Sequence, residues 1–200
     1  MIEVEKKFIL TNDDKARLIE GTTFIKEYVF EDSYYDNELF SLSSKDVWLR
    51  NRNGKFELKV PLHKSLERSA DQYNEIEDEN KIKKFLKLHL NESVEMSIKN
   101  AGYFPFCTYK TTRKKYKKDM FVIDIDYVEF DSFTYDIGEI ELMVNNENEM
   151  KDAIEKILDF AKSYNLTIAP VRGKVIEYLK RVKPQHYQAL ITSGVIKEFN

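Results

Sequence analysis

Glu3, Glu5 and Lys7 occupy alternate positions in the first stretch of the chain, Met1–Phe8. Side chains alternate between the faces of a strand, so these two carboxylates and one ammonium share a side while Ile2, Val4 and Phe8 take the other, with only Lys6 out of place. A rise of about 3.3 Å per residue sets Glu3 and Glu5 roughly 6.6 Å apart at the backbone, within reach of one hard cation. The same pairing recurs late in the chain, where Glu139 and Glu141 oppose Ile140, Leu142 and Val144, and Asp124 and Asp126 oppose Phe121, Ile123, Ile125 and Tyr127. Oxygen donors of this kind suit Mg²⁺ or Mn²⁺. Other strand-like stretches carry bases instead. Trp48, Arg50 and Arg52 share a face against Val47 and Leu49, and Lys55, Glu57 and Lys59 oppose Phe56, Leu58 and Val60. Guanidinium and ammonium groups are the usual partners of phosphate oxygens.

One such strand alone reads as the wet side of an antiparallel sheet. A merely solvated face, however, intersperses its charges and pairs them across strands. Here acids dominate the first strand and the last two, while Arg50, Arg52, Lys59 and the run Lys110–Lys118 place bases on the others. A polyanion with its metal ions satisfies both sets.

These side chains need strands to position them. Thr11 and Asp14 cap a short helix closed by Gly21, and residues 22–36 form a long strand rich in aromatic and β-branched residues. Strands at Asp46–Arg52 and Lys55–Val60 join across Asn53-Gly54, a strong hairpin signal. Pro61 ends the second, a linker spans 62–69, and a strand follows at Asp71–Ile76. Glu77–Leu90 has helical spacing at Ile82, Phe85, Leu86 and His89, and a second short helix ends near Gly102. Strands at about 106–118, 120–130 and 134–144 precede a helix from Met150 to near Asn165, then two more beginning after Gly173 and at Pro184. About eight strands interleaved with helices in one unit predict an α+β fold whose antiparallel sheet curls or closes into a barrel, apolar face outward under helices and charged face inward.

Composition narrows the class of partner. Thirty-two basic and 35 acidic residues give a net charge of −3, which argues against a generic nucleic-acid surface. A single Cys107 excludes an internal disulfide framework. No apolar run approaches the length of a membrane span and no secretory pattern opens the chain, so a soluble cytoplasmic protein with no membrane or nucleic-acid partner is expected; a monomer is expected as well.

The ordered set Glu3-Val4-Glu5-Lys6-Lys7, Trp48-Leu49-Arg50-Asn51-Arg52, Glu57-Leu58-Lys59, Gly138-Glu139-Ile140-Glu141 and Lys174 resembles the CYTH superfamily, the triphosphate tunnel metalloenzymes. Asp32-Ser33-Tyr34-Tyr35-Asp36, the Trp48 that precedes Leu-Arg-x-Arg, and the tail Lys174–Leu179 with Lys183–Gln188 resemble its thiamine triphosphatases in particular. The resemblance runs from residue 2 to about 191. It implies a single domain over 1–200, an eight-stranded antiparallel barrel forming a tunnel, and helices over 174–191 closing or flanking one end. It also implies metal-dependent hydrolysis of thiamine triphosphate to thiamine diphosphate and phosphate. An inorganic tripolyphosphatase is the alternative; an adenylyl cyclase or a non-catalytic polyphosphate- or nucleotide-binding barrel ranks below it.

Carried over by position, Glu3, Glu5, Asp124, Glu139 and Glu141 are the implied metal set, and Lys7, Arg50, Arg52, Lys59, Arg113 and Lys174 the implied phosphate set. Glu75 matches a further acidic position. The chain departs from the family where a basic residue normally precedes Arg113: Thr112 stands there, with Lys110 the nearest base. The segment between Asp124 and Glu139 is also slightly longer than in relatives.

Trp48 shares its face with Arg50 and Arg52 and could stack on a thiazolium cation; ordinary packing is its plainer role. Tyr34 or Tyr35 must face inward, and a phenol such as Tyr34 near Lys59 could tune proton transfer, although a strand tyrosine is more often core. Asp126 and Lys55 read as rim positions at least as much as functional ones. His63, His89 and His186 lack metal-ligand spacing and read as structural or exposed, and Cys107 reads as a small buried side chain.

Overall fold

The computed structural model describes residues 2–62 and 71–198, so His63 and all but the first residue of the 62–69 linker lie outside the described residues. The strands are β1 (Ile2–Phe8), β2 (Thr23–Asp36), β3 (Trp48–Arg52), β4 (Lys55–Pro61), β5 (Asp71–Ile76), β6 (Phe104–Lys118), β7 (Phe121–Glu129) and β8 (Thr134–Val144). The helices are α1 (Asn12–Ile19), α2 (Glu79–Leu86), α3 (Val94–Asn100), α4 (Met150–Ser163), α5 (Lys174–Val182) and α6 (Pro184–Thr192). The strands form a closed barrel in the order β1-β5-β4-β3-β2-β6-β7-β8. Closure removes the free sheet edges that an open antiparallel array would present. Among the described residues no helix is long and apolar enough to cross a membrane.

The described chain falls into two compact units, one of residues 2–29, 71–73 and 110–174, the other of residues 30–62, 74–109 and 175–198. In the first, Val4 and Phe8 of β1, Ile123 of β7 and Ile140 and Leu142 of β8 pack with Leu18 of α1 and Ala153, Ile157 and Ala161 of α4. The even positions of β1 and β8 therefore enter this core, and the odd positions Glu3, Glu5, Lys7, Glu139 and Glu141 are left for the opposite face. Gly138 makes that packing possible, because a Cβ there would lie 2.3 Å from Leu10 Cδ1. In the second unit Leu49 of β3 and Phe56 and Leu58 of β4 pack with Ile82 of α2 and Val94 and Ile98 of α3, which leaves Trp48, Arg50, Arg52, Glu57 and Lys59 on the other face.

Local signals set most boundaries. Thr11 and Asp14 form a reciprocal capping box at α1. Asn53 and Gly54 take φ of 50° and 88°, the two left-handed residues that a two-residue hairpin turn requires. Two expected elements are shorter than their patterns. β3 begins at Trp48, not Asp46, because Asp46 is left-handed (φ 59°) and cannot extend a strand. The helix expected over Glu77–Leu90 ends at Leu86: Lys87 turns left-handed (φ 56°), its N–H bonds the Lys83 and Lys84 carbonyls, and Phe85 and His89 are exposed.

Candidate functional site

In the first unit Arg113 of β6 is the hub. Its Nε and Nη2 donate to Asp126 Oδ1 and Oδ2, each at 2.7 Å, and Nη2 also donates to Glu139 Oε2 at 2.6 Å. Nη1 pairs with Asp124. Lys174 Nζ lies 2.5 Å from Asp126 Oδ2 and 3.5 Å from Glu139 Oε1. Lys115 Nζ donates to Asp124 Oδ2 at 2.8 Å and to Glu141 Oε2 at 3.3 Å, and Lys7 pairs with Glu5. Strand register produces this convergence, with Arg113 opposite Asp126, Lys115 opposite Asp124, Asp124 opposite Glu139, Lys7 opposite Glu139 and Glu5 opposite Glu141. Burial works against the Arg113 charge, but Glu139, Asp126 and Asp124 outweigh it and hold the guanidinium firmly protonated.

Two carboxylate triads overlap here, Glu3–Glu5–Glu141 and Asp124–Glu139–Glu141, each with ligand oxygens within 4.8 Å of one another. Glu141 belongs to both. Its pKa is pushed up to about 9, chiefly by burial and then by Asp124 and Glu3. Asp124 is also raised, since burial there outweighs Arg113 and Lys115. Hard oxygen donors, crowded until their charge becomes costly, fit a small divalent cation.

The second unit gathers bases. Arg52 donates from Nε and Nη2 to the two oxygens of fully buried Asp32 at 2.7 and 2.8 Å, with its guanidinium 4.1 Å from the Phe30 ring centroid. Arg50 lies 3.8 Å from Asp32 and donates from Nε to Glu57 Oε2 at 2.9 Å. Lys59 Nζ is 2.5 Å from Glu75 Oε1. Burial alone would raise the Glu75 pKa, but Lys59, reinforced by Arg50 and Arg52, brings it below the ordinary range. Trp48 is cross-strand to Lys59, and its indole N–H donates to Asp46 Oδ1 at 2.8 Å. Tyr34 meets Trp48 edge-on with ring centroids 6.3 Å apart, and stacks on Tyr109 at 6.1 Å.

The expected metal set thus lies in one unit, with Asp124, Glu139 and Glu141 in the ion network of Arg113, Lys115 and Lys174, and Glu3 and Glu5, which pairs with Lys7, in the triad that shares Glu141; Arg50, Arg52, Lys59 and Trp48 share one face of β3 and β4 in the other. Three expectations change. Lys110 is exposed, because it has the parity of Thr112 and points away from the Arg113 face; the base that joins Arg113 is Lys115, two residues on, where the alternation could have found it. Asp126 is no rim residue: it is 1% exposed and clamped by Arg113 and Lys174. Register gives Tyr34 the cross-strand partner Arg50, while Lys59 faces Trp48. Sequence reasoning also passed over Asp32, the anchor of Arg52, although it shares the parity of Tyr34. Cys107 is buried, with burial raising its thiol pKa, and His186 is buried against Ser43.

Residues 1–168 match the family described as the CYTH domain. The chain belongs to the CYTH family. Among curated relatives, the thiamine-triphosphatase of Macaca fascicularis is 30% identical over 213 residues, covering 99% of this chain and 93% of its own. The Homo sapiens thiamine-triphosphatase is likewise 30% identical, over 216 residues, with the same coverage. A solved structure from Pyrococcus horikoshii OT3 superposes with a TM-score of 0.64 at 20% identity, covering 90% of this chain and 99% of that one, a likeness of fold.

Proposed function

We propose that this CYTH protein hydrolyses thiamine triphosphate to thiamine diphosphate and phosphate, with Mg²⁺ as its metal. The hydrolase reading is carried by the two carboxylate triads that share Glu141 and are ringed by Arg113, Lys115 and Lys174. The choice of substrate is supported by 30% identity to thiamine-triphosphatases over 99% of the chain.

Glu3, Glu5, Asp124, Glu139 and Glu141 would hold the ion, which when bound supplies Lewis-acid neutralisation of phosphate charge. The remaining groups divide the other tasks. Lys7, Arg113 and Lys174 in one unit, and Arg50, Arg52 and Lys59 in the other, offer hydrogen-bond donors to phosphate oxygens. Donors fixed before the reaction stabilise charge as it develops on the terminal phosphoryl group and the departing diphosphate, with little reorganisation. The carboxylates that grip the bases, Asp126, Asp32, Glu57 and Glu75, fix those donors in place. Trp48 offers an indole face to the thiazolium cation. Tyr34 packs on that indole and stands cross-strand to Arg50, where its phenol could assist proton transfer.

Steady-state phosphate release from thiamine triphosphate, inorganic tripolyphosphate and ATP, each with Mg²⁺ and with EDTA, tests this reading. A kcat/KM for thiamine triphosphate well above the other two, abolished by EDTA, is expected. Comparable values for thiamine triphosphate and tripolyphosphate would favour an inorganic tripolyphosphatase, and no release from any of the three would leave a binding barrel.

A further inference from the structure

Asp46 closes the 3-10 turn Ser43–Lys45 in a left-handed conformation (φ 59°, ψ 25°), its N–H donating to the Ser43 carbonyl at 2.9 Å. Backbone preference alone is met at such a position by glycine, asparagine or aspartate. What aspartate adds is a carboxylate whose Oδ1 accepts the indole N–H of Trp48 at 2.8 Å, with both residues 8% exposed. The Tyr34 ring braces the indole at an interplanar angle of 79°, and Tyr109 stacks behind Tyr34 at 23°. The indole is thereby held by a charge-assisted hydrogen bond and by an edge-on aromatic contact. An anion on the indole N–H also polarises the ring toward a richer π face, which attracts a cation more strongly.

We infer that Asp46 is a positioning residue that sets substrate specificity: it fixes Trp48 and tunes its face for the cationic heteroaromatic group of the substrate. This rests on the reading of Trp48 as the partner of the thiazolium ring. A carboxylate that merely satisfied a buried donor would hold the indole without affecting discrimination between an organic and an inorganic triphosphate.

Two variants separate the possibilities. Asp46→Gly keeps the left-handed backbone and removes the acceptor; Asp46→Asn keeps an acceptor and loses the charge. The KM for thiamine triphosphate is expected to rise about tenfold in Asp46→Gly and about threefold in Asp46→Asn. The inhibition constant of inorganic tripolyphosphate against the same reaction stays at the wild-type value. Trp48 is the only tryptophan, so its fluorescence reads the indole directly. Free thiamine, which carries the cation without phosphates, should quench the wild type and require about tenfold more ligand in Asp46→Gly. Wild-type KM and quenching in Asp46→Gly overturn the inference, as does an equal rise in KM and in the tripolyphosphate constant. If Asp46→Gly does not fold, Asp46→Asn decides, and a wild-type KM there overturns it. Trp48→Phe distinguishes the two levels: a raised KM in Trp48→Phe beside a wild-type Asp46→Gly removes only the role of Asp46, whereas a wild-type KM in Trp48→Phe removes the Trp48 reading and the inference with it.

Discussion

Glu5 of β1 and Glu141 of β8 are direct cross-strand partners, and two residues along the same ladder Lys7 faces Glu139. On its other side β8 sets Glu139 opposite Asp124. Like charges directly opposite one another destabilise a sheet, so two acidic pairs on consecutive ladders act against the fold that carries them. Lys115 and Arg113 offset part of this repulsion.

Replacing Glu141 by glutamine separates the cost of that crowding from its use. The amide is neutral, as the crowded acid tends to be, so the metal-free Tm should stay unchanged or rise slightly. In the wild type, millimolar Mg²⁺ or Mn²⁺ should raise Tm by several degrees through preferential binding to the folded state. Glu141→Gln should lose that rise, together with about 100-fold in kcat. Differential scanning calorimetry with and without metal, beside phosphate release, makes the measurement; a full metal-induced shift in the variant would sink the ligand assignment.

Arg113→Lys tests whether the hub needs a planar fork. One guanidinium reaches both Asp126 oxygens at 2.7 Å and Glu139 at 2.6 Å, whereas an ammonium is a point charge with no bidentate geometry. The variant should lose about 2 kcal/mol of stability in urea unfolding, with Arg113→Ala losing about 3–5 kcal/mol because buried acids are left unpaired. Phosphate release should fall in both. Wild-type stability in Arg113→Ala would show that the network does not hold the fold.

Strand faces were legible in the sequence wherever apolar and charged residues largely alternate, as in β1 apart from Lys6, in β4 and in the Glu139–Leu142 stretch of β8, because one face of each enters a helix-covered core. Metal and phosphate candidates on those strands could be chosen from parity and charge. The turn at Asn53-Gly54 was equally legible, since few sequences tolerate two left-handed residues in succession. What escaped depended on partners far along the chain. Asp126 looked like a rim position because nothing local shows that Arg113 and Lys174 close over it. Lys115 was hidden within a run of lysines whose faces differ only in parity. Asp46 read as part of a strand because its extended neighbours mask a backbone angle that a 3-10 turn imposes.

Arg52 and Asp32 yield a contrasting pattern of specificity. Arg52 is a proposed phosphate donor, so Arg52→Lys should raise KM about tenfold for thiamine triphosphate and for tripolyphosphate alike, the loss of a bidentate charge-assisted contact. Asp32→Asn leaves Arg52 without its ionic clamp, and Arg50 without the carboxylate 3.8 Å away. It should cost roughly 1.5–3 kcal/mol of stability and reproduce part of the KM increase. An Arg52→Lys effect confined to thiamine triphosphate would contradict a phosphate role.

His186 provides the pH dependence. Its Nε2 lies 2.7 Å from Ser43 Oγ, which donates to Asp36 Oδ2 at 2.6 Å, and Phe40 stacks on the ring with centroids 3.9 Å apart. Burial lowers its pKa to about 4, with Asp36 opposing and Lys183 assisting. Between that value and the unfolded value of about 6.5, the unfolded chain binds a proton that the folded chain does not. Stability from this group is therefore complete above about pH 6.5 and drains away as pH falls through 4, by roughly 3 kcal/mol at the limit. Urea unfolding from pH 8 to 4.5 should show the wild type losing stability relative to His186→Gln, which cannot titrate, across that window alone. Comparing the two proteins cancels the carboxylate titrations they share, and parallel curves would mean that His186 carries no such linkage.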